Sequence, residues 1–241
     1  MVYFAASDTG RVREQNEDFS YATDQPVGGL SNLFVVCDGM GGHNAGEYAS
    51  EGAVRLMLDS VRASSGMADP YEVLGKSIEA ANYEIHRRSV DDPSKAGMGT
   101  TLVAATIRAG TLYVANVGDS RLYIHDRRGL LQVTRDHSYV EEMVRKGLLS
   151  PEEARYHRDR NKITRAVGVL DEVRVDFFDV SVSLGTQILL CSDGLTGMLV
   201  DKQIEEVLSS GTDVRSRGET LIRMANENGG RDNITVVLVE V

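Results

Sequence analysis

The sequence predicts an α+β protein of four layers in the order α-β-β-α, two antiparallel sheets packed face to face with helices outside. Three observations lead there. The runs 187–193 (QILLCSD) and 233–241 (NITVVLVEV) are apolar on both faces, as expected of strands covered on each side. The runs 101–108 (TLVAATIR), 111–118 (TLYVANVG) and 121–126 (RLYIHD) are separated only by Ala109-Gly110 and Asp119-Ser120, connections so short that they force antiparallel pairing. Helical segments come grouped rather than alternating one for one with strands, which points to two packed sheets instead of a parallel one.

Along the chain, the apolar run 32–37 (NLFVVC) meets Asp38-Gly39 and reads as a strand stopped by a turn. Val54, Met57, Leu58 and Val61 then recur at helical spacing, as do Leu74, Ile78, Ala81 and Ile85 after Pro70, so two amphipathic helices are expected before residue 90. In the next region SYVEEMVRKG reads as a helix stopped by Gly147, and Ser150-Pro151-Glu152-Glu153 resembles a capping box. Arg158, Arg160, Lys162 and Arg165 follow in a polar stretch, and residues 139–168 are expected to form a flap-like insertion over the sheet. Two further helices are expected near 201–209 and 216–228. No linker or repeat divides the chain, so one domain spanning 1–241 is expected.

With 241 residues, 41% of them apolar and 26% charged, the composition is that of a globular protein and excludes disorder and collagen-like structure. Lys and Arg total 26 against 36 Asp and Glu, a net charge of -10 that repels nucleic acid and favours partners carrying cations. The apolar run at the start is too short for a signal peptide, and no stretch approaches the roughly 18 apolar residues of a spanning helix. A cytoplasmic chain without membrane insertion is expected. Cys37 and Cys191 lie inside apolar runs without C-x-x-C spacing and read as reduced core residues.

Several motifs fail on geometry. Gly39-Met40-Gly41 meets Asn44 where a dinucleotide fingerprint needs its third glycine, and no P-loop, H-E-x-x-H or G-x-S-x-G occurs. Asn233-Ile234-Thr235 matches a glycosylation sequon but opens an apolar strand, so it is read as chance. What remains is a set of aspartates at strand ends: Asp38, Asp119, Asp193 and Asp232. Any one of them is explained by turn chemistry. Four together are not, because carboxylates converging at one sheet edge cannot all stay ionised unless cations sit between them; otherwise some must be protonated. Oxygen-only ligands suit Mg²⁺ or Mn²⁺, whereas zinc prefers His and Cys. His86, His125 and His157 lack partner spacing and read as structural, while His43 lies in the glycine-rich MGGH just after Asp38. Between Asp8 and Asp18, Arg13 is suited to bidentate phosphate contact.

Six segments then become specific: D-x-G-x-x-R-x-x-N-x-D from Asp8 to Asp18, VVCDGMGGH at 35–43, GMGTT at 97–101, VGDSR at 117–121, LLCSDGL at 189–195 and GGRDNIT at 229–235. In order and spacing they resemble the motifs of the type-2C, metal-dependent protein serine/threonine phosphatases, in particular the small bacterial members. The resemblance implies a sandwich with two Mn²⁺ or Mg²⁺ ions at one end and a weaker third ion. By motif, Asp38 would bridge both core ions, the Gly39 carbonyl would ligate one, Asp193 and Asp232 would complete one shell, and Asp18 would serve the other through water. Asp119, with Asp193, would hold the third. Arg13 would hold the substrate phosphate, and Asp8, Asn16, Thr100 and Asn233 would orient ligands. The implied reaction is in-line attack by a water bridging the two ions on phosphoserine or phosphothreonine.

Many relatives carry a histidine directly after the Asp-Gly pair. Here that place is Met40, which leaves His43 or a metal-bound water as the proton donor to the leaving oxygen. Phosphorylated proteins, including a serine/threonine kinase and its substrates, are the implied partners, and a monomer is expected. Two other classes compete: a catalytically silent phosphopeptide-binding module, which would normally have lost a metal ligand, and a two-metal nucleotide hydrolase, which the net charge disfavours.

Overall fold

The computed structural model describes residues 1–42, 45–64 and 69–241. One sheet has the strand order β1 (Val2–Asp8), β11 (Ile234–Glu240), β10 (Gln187–Cys191), β7 (Arg121–Asp126), β8 (Gly129–Gln132). The other runs β2 (Asp18–Thr23), β3 (Leu33–Met40), β5 (Leu102–Arg108), β6 (Thr111–Val117), β9 (Asp176–Ser181), with the short β4 (Gly99–Thr100) pairing the end of β3. All pairings are antiparallel.

The layers follow from which side chains are buried. Phe34, Val36, Val103, Val114, Leu122, Ile188 and Val237 fill the space between the sheets. On the outer face of the β3 sheet, Val35, Leu102 and Ala104 pack against helices α1 (Ala45–Ala63) and α2 (Pro70–Asp91). On the outer face of the β11 sheet, Leu189, Val236 and Leu238 cluster with residues of α5 (Asp193–Thr196), α6 (Asp201–Leu208) and α7 (Val214–Glu227). The expected α-β-β-α sandwich is therefore present. Val54, Met57, Leu58 and Val61 of α1 and Leu74, Ile78, Ala81 and Ile85 of α2 are all buried, so the helical spacing identified the right faces. Each large aliphatic side chain buried this way contributes about 1.5–3 kcal/mol. Helix α2 begins where Asp69 caps it ahead of Pro70.

Two expectations are corrected. The strand at 32–37 does not stop at Asp38-Gly39: β3 continues to Met40, because Gly39 N–H donates to the Glu17 carbonyl (3.0 Å) and Gly39-Met40 pair with β4. The three runs from 101 to 126 do not form one antiparallel unit. The first two do, through a turn in which Ala109 and Gly110 both have positive φ, as a type I′ hairpin requires. The third, β7, crosses into the other sheet and pairs with β10 and β8. Gly118, at φ +109, lies at this crossover, where a Cβ would come within 2.6 Å of Thr101. The crossing places Leu122 and Ile124 between the sheets and Tyr123 under the helical layer.

Between β8 and β9 lie α3 (Tyr139–Arg145) and α4 (Pro151–Tyr156). The capping box at Ser150 and Glu153 is formed, and Gly147, after α3, takes φ +70. The base of this segment is tied down where Tyr139 N–H meets the Lys162 carbonyl (2.8 Å) and where Thr100 and Val167 exchange hydrogen bonds.

Candidate metal centre

The carboxylates come together because the sheets do. Asp18 opens β2 directly opposite Asp38 in β3. Asp193 begins α5 just after β10, Asp232 precedes β11 beside it, and Asp119 sits in the crossover from β6 to β7. Arg13, Asp38, Gly39, Asp119, Asp193 and Asp232 line one cavity of about 230 Å³ at this end of the sandwich. Asp18 lies behind it, accepting from the Ser192 hydroxyl at 2.7 Å. Arg13 donates to Asp232 at 2.9 Å, so the expected phosphate clamp and an expected metal ligand are already paired. His43 lies outside the described residues.

Backbone and neighbouring side chains fix these groups. Asp38 is held on its main chain by Thr101, whose hydroxyl accepts from Asp38 N–H and whose N–H donates to the Asp38 carbonyl, both at 2.9 Å; the Thr100 hydroxyl donates to the same carbonyl. Asn233 gathers three segments: its Oδ1 accepts from Glu17 N–H, and its amide donates to the carbonyls of Thr9 and Gln15. Asp8 accepts from Gly10 N–H and from the Asn226 amide, and Asn16 accepts from Asp18 N–H. Gly10 has φ +84 and sits where a Cβ would come within 2.3 Å of the Asp232 carbonyl oxygen, so this loop packs against the Asp232 turn only with glycine there.

Burial raises the pKa of the Asp18, Asp38, Asp119 and Asp193 carboxyls, and their mutual repulsion adds to it: Asp18 foremost among the charges on Asp38, Asp193 on Asp119, and Asp232 on Asp193. Arg13 is held more firmly protonated by its hydrogen bond to Asp232.

These residues fit hard divalent cations. The acidic donors are oxygens, among the described residues no His or Cys lines the cavity, and two buried carboxylate oxygens, Asp18 Oδ1 and Glu17 Oε1, have no hydrogen-bond partner. A buried orphan acceptor costs about 1–3 kcal/mol, so such atoms call for a partner. Among the described residues no three His, Cys, Asp or Glu side chains are placed to hold a metal ion by themselves, so carbonyl oxygen and water would have to complete any shell. An open set of carboxylates suits Mg²⁺ and Mn²⁺, which keep several waters.

Sequence reasoning missed Glu17, Thr101 and Ser192. Glu17 was visible only as part of an acidic run; it lines the cavity, and burial raises its pKa. Ser192 and Thr101 gave no signal of their own, being hydroxyls within apolar runs. Of the four basic residues at 158–165, Arg158, Lys162 and Arg165 pair with Asp159 or Asp176 of the same chain.

The chain resembles known proteins in sequence and in fold. Residues 4–145 match the Protein phosphatase 2C family. The chain is 42% identical to the serine/threonine phosphatase stp of Listeria monocytogenes over 97% of its own length and 93% of that protein. It superposes on the crystal structure of the serine/threonine phosphatase Stp1 from Staphylococcus aureus with a TM-score of 0.92 at 33% identity, covering 99% of this chain and 94% of that one. A further likeness, TM-score 0.87 at 34% identity over 99% and 97% of the two chains, is to the catalytic domain of the phosphatase PstP in complex with two manganese ions. The chain therefore belongs to the protein phosphatase 2C family and is a serine/threonine protein phosphatase.

Proposed function

We propose that the chain removes phosphate from phosphoserine and phosphothreonine in proteins with two divalent ions, Mn²⁺ or Mg²⁺, held by Asp38, the Gly39 carbonyl, Asp193, Asp232 and, through water, Asp18. A weaker third ion would lie between Asp119 and Asp193. The observation that carries this reading is the burial of mutually repelling carboxylates around one small cavity with Arg13 beside them. The likeness to a PstP domain in complex with two manganese ions supports the choice and number of ions.

When bound, such ions would supply positive charge to the transferring phosphoryl group and lower the pKa of a bound water to about 7. Arg13 exchanges its Asp232 partner for phosphate oxygens, a planar bidentate contact that the guanidinium is shaped for. Thr101 and Thr100 keep the Asp38 backbone, and with it the Gly39 carbonyl, fixed as substrate enters. Ser192 holds one oxygen of Asp18 and leaves the other free. His43 donates the proton to the departing serine or threonine oxygen. His43→Ala is expected to slow phosphopeptides, which have poor leaving groups, more than aryl phosphates, and equal losses on both would remove that role.

The substrates are phosphoproteins, and the reaction that must supply them is transfer by a serine/threonine kinase, which this enzyme opposes. Action as a monomer is part of this proposal. Cys37 and Cys191 are buried free thiols, as suits the reducing cytoplasm, and no helix among the described residues is long and apolar enough to cross a membrane. Turnover of a phosphothreonine peptide should require added Mn²⁺ or Mg²⁺ and stop on chelation; full turnover in chelator would contradict the reading.

A further inference from the structure

Beside the carboxylate cavity lies a second recess of about 260 Å³. Met40, Ile163, Ala166, Val169, Leu170 and Val173 give it an apolar wall, and the charged Arg165, Glu172 and Arg174 complete its lining. Met40 and Ile163 also line the carboxylate cavity, so the two are neighbours with a common wall. The recess is smaller than the roughly 300–1,000 Å³ of pockets that take whole small molecules, and its size suits one side chain.

The recess is built, not incidental. The Met40 methyl and a Val169 methyl both lie over Gly99, where a Cβ would come within 2.8 Å and 2.7 Å of them. The neighbouring backbone is clamped: Thr100 and Val167 exchange hydrogen bonds at 3.0 and 2.8 Å. The buried Asn82 accepts from Gly168 N–H (2.7 Å) and donates to the carbonyls of Leu170 and Asp171 (3.0 Å each). A buried amide thus fixes the position of Val169 and Leu170, which are themselves 41% and 65% exposed. An apolar pair held rigidly at the surface next to a reaction centre is placed for contact with something that comes to that centre.

We propose that this recess is a substrate subsite that takes one apolar side chain, of the size of Val, Leu, Met or Phe, flanking the phosphorylated residue of an extended phosphopeptide. The proposal rests on the phosphoprotein reading of the carboxylate cavity. Successive residues of an extended chain advance by about 3.3 Å, so a side chain near the phosphorylated residue reaches an adjoining cavity while the phosphate stays beside Arg13. Met40 adapts the wall to different occupants, as a flexible thioether does. Asp119, Asn161 and Asp193 of the carboxylate cavity also line a larger space that carries Arg121, Asp136, Arg155 and Lys202.

The test is a set of phosphothreonine peptides in which each flanking position is in turn Leu, Ala or Asp, assayed with the Mn²⁺-loaded enzyme alongside p-nitrophenyl phosphate. At one flanking position Leu should exceed Asp by about tenfold in kcat/KM, mainly through KM. Leu170→Asp, far from the carboxylates in role, should abolish that preference and leave p-nitrophenyl phosphate turnover unchanged, while Leu170→Met should keep it. Normal aryl phosphate turnover with no apolar preference, or a preference that survives Leu170→Asp, would overturn the subsite alone. Failure to hydrolyse either substrate class would overturn the reading of the carboxylate cavity and the subsite with it.

Discussion

The carboxylate end of the sandwich and the segment 139–168 are built on opposite plans. At the carboxylate end, Thr100, Ser192 and Asn233 are buried, each hydrogen-bonds within the cluster, and the groups they serve are anions that would be more comfortable in water. Along α3 no residue is buried, and in α4 only Ala154 is, so that segment stands on caps and edge hydrogen bonds. Chemistry is placed where the core makes geometry rigid, and at a cost in stability; α3 and α4, above the clamped base of their segment, are cheap to deform. Functional carboxylates of the first kind trade stability for activity, and a low-stability segment of the second kind opens locally first.

The contrast can be broken most forcefully at its centre. Asp38→Asn and Asp193→Asn should each lose about 10²–10³-fold in kcat, the scale on which one missing electrostatic contact to a transition state is felt. In metal-free buffer the same variants should unfold at higher denaturant concentration than the parent, by about 0.5–2 kcal/mol, because one repelling buried charge is gone. Loss of activity together with loss of stability would mean that these side chains are structural.

Arg13→Ala comes next. Its pairing with Asp232 is half-exposed, so stability should barely change, while KM for a phosphopeptide should rise about tenfold with kcat less affected. An unchanged KM would take the phosphate away from this guanidinium.

The two regions meet at His137, whose Nδ1 accepts from Gly118 N–H (3.1 Å) beside Asp119 and whose Nε2 faces Asp176 (3.1 Å), itself paired with Arg165. Burial holds the His137 pKa below its ordinary 6.5. The unfolded chain therefore binds more protons just below that pH, so the His137 contribution is complete above it and is lost as pH falls from 6.5 toward the folded value. A loss of stability over that window is expected, and His137→Gln should flatten it. A slope of opposite sign in urea melts would show that the imidazole is charged in the folded state.

The smallest effect belongs to the segment itself. Ser150→Ala removes the capping box of α4 and should cost about 0.5–2 kcal/mol locally. It should be read as faster proteolysis within 139–168, with global melting and aryl phosphate turnover unchanged. A fall in global melting would show that the segment folds as part of the core.

How much of this was legible in the sequence depended on how far the signal travels along the chain. Asp38 and Asp193 follow apolar runs and Asp232 precedes one, so local patterning and motif spacing both pointed at them. The helical faces of α1 and α2 were legible for the same reason. The crossing of β7 was not: a two-residue link reads as a hairpin, and only the three-dimensional placement of Gly118 against Thr101 shows the chain changing sheets. Strands β1 and β2 were hidden because they are edge strands with half-exposed, weakly alternating residues. Ser192 and Thr101 act through single hydroxyls on backbone and carboxyl groups distant in sequence, a role that no spacing reveals.

Everything turns on whether the gathered aspartates hold divalent cations. The direct measurement is Mn²⁺ binding to the whole protein by calorimetry, with Asp193→Ala and Arg13→Ala alongside. Two tight sites in the parent, their loss or marked weakening in Asp193→Ala and their retention in Arg13→Ala are expected. Equal Mn²⁺ affinity and stoichiometry in the parent and in Asp193→Ala would contradict the assignment of the metal centre.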